Sequence, residues 1–156
     1  MISNKQNILN LNQNTLKKQF QDLNLPSFII NQLYDWIYKK HIIDFELMTN
    51  LAKPNRTLLK NNFELNNIKD KKIISSQDGT QKYILTLKDD QQIEMVILPE
   101  KKYSCLCISS QCGCAIGCKY CVTGSCGFKR NLDLSEIILQ LLVAFQDHKD
   151  ITHIVF

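Results

Sequence analysis

The first third of the chain carries apolar residues at a helical period. In the segment LPSFIINQLYDWIYKK, apolar side chains recur every three or four residues, which places them on one face of a helix. These side chains are Ile29, Ile30, Leu33, Trp36 and Ile37. Pro26 suits the first turn of this helix, and Lys39 with Lys40 suits its last turn. The following segment, DFELMTNLAKPNRTLLKNNF, predicts a short helical piece and then a helix beginning near Pro54.

The pattern changes near residue 66 to short runs rich in β-branched residues. The segment KKIISSQDGTQKYILTLKDDQQIEMVIL holds three such runs, and the pair Asp78-Gly79 between the first two indicates a hairpin turn. These runs predict a small antiparallel sheet. The sheet ends at a predicted linker from Pro99 to Lys102.

From Ser104 the order of predicted elements is strand, loop, helix, strand. CLCISS and ITHIVF are the strands, and LDLSEIILQLLVAF is the helix, with Asp133 and Glu136 suited to cap its first turn. Its predicted buried stripe consists of Ile137, Ile138, Leu141, Leu142 and Phe145. This arrangement is a βαβ unit, the repeating element of a parallel sheet or barrel.

The predicted fold class is therefore α/β, in three regions. Residues 1–65 form a helical N-terminal accessory domain, residues 66–103 a small β hairpin region and linker, and residues 104–156 the start of a barrel. Two parallel strands with one crossover helix leave apolar faces and strand edges uncovered. We therefore expect the chain to be a fragment of something longer, or to need a partner that completes its sheet.

Composition adds constraints on location and partners. The 156 residues are 44% hydrophobic and 22% charged, as in an ordinary globular protein. Neither a signal peptide nor an apolar run long enough to cross a bilayer is visible, so we expect a cytoplasmic protein without a membrane partner. The formal net charge of +4 is compatible with a nucleic-acid partner but does not specify one.

The seven cysteines are concentrated in one place. None falls in the first hundred residues, and five fall within the fifteen residues from Cys112 to Cys126. Disulfides that staple a fold need cysteines spread along the chain, whereas a local cluster in a cytosolic protein indicates a metal or redox chemistry.

The spacing of Cys114, Cys118 and Cys121 is C-x3-C-x2-C, which suits a loop that wraps an iron–sulfur cluster. Three thiolates hold three irons of a 4Fe-4S cluster and leave the fourth iron open, as catalytic metal sites do. Two alternatives stay open at this point. One is a zinc site, although no second Cys or His pair follows, and the other is a four-cysteine cluster that recruits Cys112 or Cys126.

Several segments resemble a known family. CAIGCKYC is similar to the signature of radical S-adenosylmethionine enzymes. The longer segment CISSQCGCAIGCKYCVTGSCGFKRNLDLSEIILQ resembles bacterial RNA methyltransferases that methylate carbon 2 of adenine in 23S rRNA and tRNA. IINQLYDWIYKKHIIDFELMTNLAKPNR and IEMVILPE resemble other parts of the same family, so the resemblance covers roughly residues 13–156.

The resemblance implies a fold and two cofactors. The βαβ unit would be the first unit of an incomplete radical SAM (β/α) barrel. Cys114, Cys118 and Cys121 would hold a 4Fe-4S cluster, and S-adenosylmethionine would bind its open iron and be cleaved to a deoxyadenosyl radical. Radical chemistry is needed because carbon 2 of adenine is electron-poor and does not attack a methyl sulfonium.

The resemblance also implies two catalytic residues. Glu94 matches the acid that takes the proton from adenine, and Cys107 matches the cysteine that releases the methylated RNA by forming a transient disulfide. Desolvation on the strand face that Glu94 shares with Val96 and Leu98 would raise the pKa of Glu94 and make it a better base. Without the resemblance, Glu94 is interpreted as a solvent-facing strand residue and Cys107 as a buried structural thiol.

Two further interpretations rest on position along the chain. Tyr120 directly precedes the third cysteine of the signature, so it could bind the cofactor by packing on its adenine ring, or be a simple packing residue. Lys129 and Arg130 could contact phosphate or cofactor, or form a solvated loop pair.

The implied partners are 23S rRNA, tRNA and an electron-donor protein for the cluster, and we expect a monomer. The family's methyl-carrying cysteine has no counterpart in this chain, so the 156 residues are predicted to be inactive alone. The alternative function is a non-catalytic module that binds an iron–sulfur cluster or zinc.

Overall fold

The computed structural model describes residues 5–156 and divides the chain into two compact units. The first unit ends at Asn66, and the second spans Asn67–Phe156. Residues 1–4, which belong to the first predicted domain, lie outside the described residues. No helix within residues 5–156 combines the length and the apolar character that crossing a bilayer requires.

The first unit is mainly helical, as predicted. Its α-helices are α1 (Gln13–Asp22), α2 (Phe28–Tyr34) and α3 (Lys53–Asn62), and a π-helical segment, Asp35–Lys39, continues α2. Short 3-10 turns at Ile8–Asn10 and Phe45–Leu47 and a parallel pair of two-residue strands, β1 (Gln6–Asn7) and β2 (Phe63–Glu64), complete the unit.

The core of the first unit contains the apolar stripe predicted from the sequence. Ile29, Ile30 and Leu33 of α2 are buried, and Ile37 of the π-helical segment is 1% exposed. Trp36 is only half-buried, and its indole nitrogen donates a hydrogen bond to the side-chain oxygen of Asn50. The helical period therefore predicted which face of α2 enters the core.

The second unit contains seven strands and two helices among its described residues. The strands are β3 (Ile68–Ser75), β4 (Gln81–Leu87), β5 (Gln92–Pro99), β6 (Ser104–Cys107), β7 (Gln111–Cys112), β8 (Arg130–Asn131) and β9 (Ile151–Val155). The helices are α4 (Val122–Ser125) and α5 (Leu134–Asp147).

Five of these strands form one sheet in the order β3-β4-β5-β6-β9. The first four pair antiparallel, which includes the predicted hairpin, and β9 pairs parallel to β6 after the crossover helix α5. The predicted βαβ unit is therefore present. The hairpin region and the βαβ unit share one sheet because β5 pairs directly with β6, so the segment from Pro99 to Lys102 is a short connection inside one compact unit.

One face of the sheet is buried in the core, and the opposite face carries candidate functional side chains. Alternate residues of the strands are buried, among them Tyr83, Leu85, Ile93, Met95, Ile97 and Leu106. The opposite face, which we call the site face, carries Lys82, Ile84, Glu94, Val96, Cys105 and Cys107. The register confirms this grouping, because Lys82 and Cys107 are both cross-strand partners of Val96.

Helix α5 begins at the predicted cap. The Asp133 carboxylate accepts a hydrogen bond from the Glu136 main-chain N–H at 2.9 Å, and the Glu136 carboxylate accepts one from the Asp133 N–H at 2.9 Å. This reciprocal pair is a capping box.

The predicted buried stripe of α5 was placed on the wrong positions in part. The apolar side chains that are buried on this helix are Leu139, Leu142, Val143 and Ala144, together with the polar Gln140. The predicted members Ile137, Ile138, Leu141 and Phe145 are only half-buried. The buried face also contains Ser135 and Glu136 in the first turn, so three of its members are polar. A period of apolar residues does not detect these positions, and the predicted face was therefore displaced.

We expect Asp133→Ala to lower the free energy of unfolding by about 1 kcal/mol, because it removes the side-chain acceptor that caps α5. Chemical denaturation followed by circular dichroism measures this loss. Asp70→Ala is the matched control, since Asp70 is exposed and its side chain has no ion-pair partner among the described residues. Equal stability of the two variants would contradict the role of the cap.

Candidate functional site

The five cysteines of the cluster lie in or beside a loop that is closed at its base. Strands β7 and β8 pair antiparallel and join the two ends of residues 113–129, which we call the cysteine loop. The main-chain N–H of Lys129 donates to the carbonyl oxygen of Cys112 at 3.0 Å and extends this pairing. The loop follows the carboxyl end of β6, the end of parallel strands where α/β proteins place their sites.

Two glycines allow the cysteine loop to pack closely on itself. A Cβ atom on Gly113 would lie 1.8 Å from the carbonyl oxygen of Gly127, so any side chain there would force the two backbone segments apart. A Cβ atom on Gly124 would lie 3.1 Å from both the main-chain nitrogen and the oxygen of Cys118. The fold of the loop therefore depends on the absence of a side chain at Gly113, whereas a side chain at Gly124 would require the neighbouring backbone to shift by a few tenths of an ångström.

The three cysteines of the signature occupy a locally ordered part of this loop. The main-chain N–H of Cys121 donates to the carbonyl oxygen of Cys118 at 3.1 Å, and Cys121 precedes the first residue of α4. Cys114, Cys118 and Cys121 are all free and half-buried. Each thiol is thus available as a ligand without breaking a disulfide.

The rim of the loop exposes large apolar side chains. Ile116 is 82% exposed, Tyr120 92% and Val122 81%. Tyr120 therefore lies on the surface, which disagrees with its interpretation as a packing residue within the described chain. Exposed apolar side chains in one loop are typical of a surface that another molecule covers.

Cys114, Cys118 and Cys121 are the candidate metal ligands of the loop. Within residues 5–156, no three His, Cys, Asp or Glu side chains are grouped so that they could hold one metal ion. In a 4Fe-4S cluster each cysteine binds a different iron, so its thiolates surround the cluster and do not converge on one point.

Glu94 lies on the site face beside the cysteine loop. Its carboxylate forms an ion pair with the Lys82 ammonium at 3.3 Å, and its side chain is 51% exposed. Both residues line a cleft of about 360 Å³ whose other wall includes Val122, Thr123 and Cys126 of the cysteine loop. The sequence predicted that burial would desolvate the Glu94 carboxylate. The described residues leave this carboxylate half exposed, so they do not desolvate it.

Cys107 lies at the carboxyl end of β6 on the same face as Glu94. It is half-buried, and its cross-strand neighbours are Val96 on β5 and Val155 on β9. The structure thus places Glu94 and Cys107 on one face, and Glu94 against the cysteine loop. Cys107, Tyr120 and the three signature cysteines do not line the cleft.

A buried glutamine that sequence reasoning missed holds the start of the loop segment. The Gln140 side-chain amide donates to the carbonyl oxygen of Ser109 at 2.9 Å and accepts from the Ser109 N–H at 2.8 Å. The Ser109 hydroxyl in turn donates to the main-chain carbonyl of Glu94 at 2.6 Å. Gln140 therefore fixes Ser109, which contacts the strand that carries Glu94. The feature of the sequence that could have revealed Gln140 is a polar residue within the apolar face of a helix.

A second missed cluster surrounds Arg130. Its guanidinium forms two hydrogen bonds with the nearly buried Glu136 carboxylate, at 2.7 and 2.8 Å, and one with Asp89 at 2.8 Å. The hydrogen bond from Arg130 lowers the pKa of Asp89. The guanidinium is thereby committed within the protein, which disagrees with the interpretation of Arg130 as a phosphate ligand or a solvated loop residue.

Comparisons with known proteins find one match to a family model and one to a solved structure. Residues 6–65 match the model of the ribosomal RNA large subunit methyltransferase N-terminal domain. A solved radical SAM methyltransferase from Sphaerobacter thermophilus superposes with a TM-score of 0.89 at 28% identity, over 96% of this chain and 45% of that one.

Curated relatives agree with the structural match. A probable dual-specificity RNA methyltransferase RlmN from Pseudothermotoga lettingae is 43% identical over 145 residues, covering 92% of this chain and 42% of the relative. The dual-specificity RNA methyltransferase RlmN of Buchnera aphidicola is 42% identical over 161 residues, covering 97% of this chain and 43% of the relative.

The fold is that of part of a radical SAM methyltransferase. The chain is also similar to the dual-specificity RNA methyltransferases RlmN, and this similarity confirms the resemblance found in the sequence. The chain spans less than half the length of these relatives, 42% and 43% of the two described above.

We expect Gln140→Leu to lower the free energy of unfolding by about 1–3 kcal/mol, because it leaves the N–H and the carbonyl of Ser109 without partners. The Ser109 amide should also exchange its hydrogen faster, as measured by NMR. Gln77→Leu, at an exposed turn residue in the same unit, is the control and should leave both quantities nearly unchanged. An unchanged exchange rate at Ser109 in Gln140→Leu would contradict the clamp.

Two cysteines near the signature should differ in reactivity. Cys112 is 1% exposed and burial raises the pKa of its thiol, whereas Cys126 is exposed. We expect iodoacetamide to modify Cys112 at least about tenfold more slowly than Cys126, because the buried thiol reacts only after local unfolding. Peptide mass spectrometry follows both sites, and unfolding in denaturant should make their rates similar. Similar rates in the native protein would disagree with the structure.

Proposed function

We propose that this chain supplies the N-terminal domain and the cluster-binding part of a radical SAM enzyme that methylates carbon 2 of adenine in 23S rRNA and tRNA. The observation that carries the proposal is the cysteine loop, which presents three free thiols at C-x3-C-x2-C spacing at the carboxyl end of β6. The homology to RlmN methyltransferases supports the same reaction. The βαβ unit formed by β6, α5 and β9 would be the first unit of an incomplete (β/α) barrel.

Cys114, Cys118 and Cys121 would hold the 4Fe-4S cluster through their thiolates. The donor set fits, because all three thiols are free, and the main-chain bond between Cys118 and Cys121 orders the second half of the signature. When bound, the cluster supplies the electron that cleaves S-adenosylmethionine. An electron-donor protein would reduce the cluster.

Glu94 and Cys107 would act on the RNA from the site face. Glu94 is suited to accept the adenine proton because its carboxylate lines an open cleft and is only partly engaged by Lys82. Cys107, whose thiol is free, would resolve the enzyme–RNA thioether. As its thiolate forms a transient disulfide with the thioether sulfur, the carbon–sulfur bond to the RNA would break and the released carbon would take up a proton. Because the two residues share one face of adjacent strands, both can face the same substrate.

Tyr120 would contact S-adenosylmethionine. Its ring is 92% exposed directly beside Cys121, so it is free to pack on the adenine ring of the cofactor. We propose a monomeric, cytoplasmic protein, with no membrane partner.

The alternative is a non-catalytic iron–sulfur module in which a fourth cysteine closes the cluster. Cys126 favours this alternative because it is exposed and lies in the same loop as the signature cysteines. Such a cluster has no open iron for S-adenosylmethionine. The response of the cluster to added S-adenosylmethionine therefore distinguishes the two functions.

The test is anaerobic reconstitution of the chain with iron and sulfide, followed by electron paramagnetic resonance of the reduced protein. We expect a 4Fe-4S signal that changes when S-adenosylmethionine is added, because the fourth iron is open. A signal that ignores the cofactor would favour the four-cysteine module.

The ligands are identified by substitution in the same assay. Replacing Cys114, Cys118 or Cys121 with serine should abolish the signal, because each thiolate holds one iron. Cys105→Ser is the matched control, since Cys105 is an equally half-buried free thiol on β6 outside the signature. Loss of the cluster in the control, or its retention in a signature variant, would refute the assignment.

A further inference from the structure

The first unit contains a surface cleft between α1 and α2. It has a volume of about 420 Å³, which lies within the roughly 300–1,000 Å³ typical of ligand sites. Its lining consists of Gln13, Lys17, Ser27, Phe28, Ile30 and Asn31. Four of these side chains are polar, one is aromatic, and none is acidic.

Phe28, the aromatic residue of the cleft, is not part of the protein core. Phe28 is 58% exposed, although it begins a helix whose next two residues, Ile29 and Ile30, are buried. The apolar stripe of α2 is complete without Phe28. Its ring is therefore available to pack against another molecule.

The polar side chains of the cleft have no partner among the described residues. Gln13, Lys17, Ser27 and Asn31 form no side-chain hydrogen bond or ion pair within residues 5–156. The charge of Lys17 is therefore not paired within that range, and Lys18 beside it is exposed as well. A cation and free amides around an exposed aromatic ring are the groups that bind single-stranded nucleic acid.

We propose that this cleft is a subsite for single-stranded RNA, in which a base stacks on Phe28 and the neighbouring phosphate binds Lys17. Gln13 and Asn31 line the same cleft, so their amides would donate and accept hydrogen bonds at the edge of that base. The subsite rests on the proposed RNA-modifying function and adds to it a second contact, on the unit that lacks the cysteine loop.

The experiment measures binding of a fluorescent oligoadenylate of about six nucleotides to the cluster-free chain by fluorescence anisotropy at low salt. We expect Phe28→Ala to weaken binding roughly tenfold, and Phe28→Tyr to retain it, because tyrosine also stacks. Lys17→Gln should reduce the slope of log affinity against log salt by about 0.7, because one phosphate contact is lost.

Matched controls separate the subsite from general effects. Leu47→Ala removes an apolar side chain of similar exposure, 56%, in the same unit, and Lys53→Gln removes an exposed lysine outside the cleft. Neither should change affinity or salt slope. Circular dichroism checks that every variant keeps its helices.

Three outcomes would overturn the subsite. They are no binding at all, binding unchanged by Phe28→Ala, and equal loss in Phe28→Ala and Leu47→Ala. The response of the cluster to S-adenosylmethionine is measured on the other unit without RNA, so failure of the subsite and failure of the proposed enzyme class give different results.

Discussion

The antiparallel pairing of β5 with β6 is the constraint on which the candidate site depends. This register sets Val96 opposite Cys107, so Glu94 and Cys107 occupy one face of the sheet. A slip of one residue would move Cys107 to the buried face, where Leu106 now packs. The chain leaves β6 for the cysteine loop, so the position of the signature cysteines also depends on the register of the sheet.

Buried polar contacts hold the cysteine loop in place from both ends. At its start, Gln140 binds the main chain of Ser109, and at its end the buried Glu136 binds Arg130 beside the β7–β8 pair. The N–H of Leu132 also donates to the carbonyl of Ser110 at 2.9 Å. Because Gln140 and Glu136 both lie on α5, the helix positions the loop as well as covering the sheet. Apolar packing alone would not fix the loop in this way, because hydrogen bonds are directional and dispersion contacts are not.

The sequence predicted features that depend on neighbouring residues and missed features that depend on distant ones. The stripe of α2, the turn at Asp78-Gly79 and the cap at Asp133 are local patterns that predicted the elements, and the spacing of the cysteines indicated a metal site. The family came from the resemblance of longer segments. The role of Gln140 depends on Ser109, thirty-one residues away, and that of Arg130 depends partly on Asp89, forty-one residues away. Such partners are brought together only by the fold, so no local pattern contains them.

The environment of Glu94 shows why a matched motif does not by itself define the chemistry of a residue. The sequence suggested a carboxylate made basic by burial, but the side chain is half exposed and paired with Lys82. An ion pair this exposed contributes only about 0–1 kcal/mol, so it neither locks the carboxylate in one position nor replaces the effect of burial. The role of base that we propose for Glu94 would therefore depend on what fills the cleft beside it. In that proposal, a nucleobase in the cleft would displace water from the carboxylate and supply the desolvation that the described residues do not.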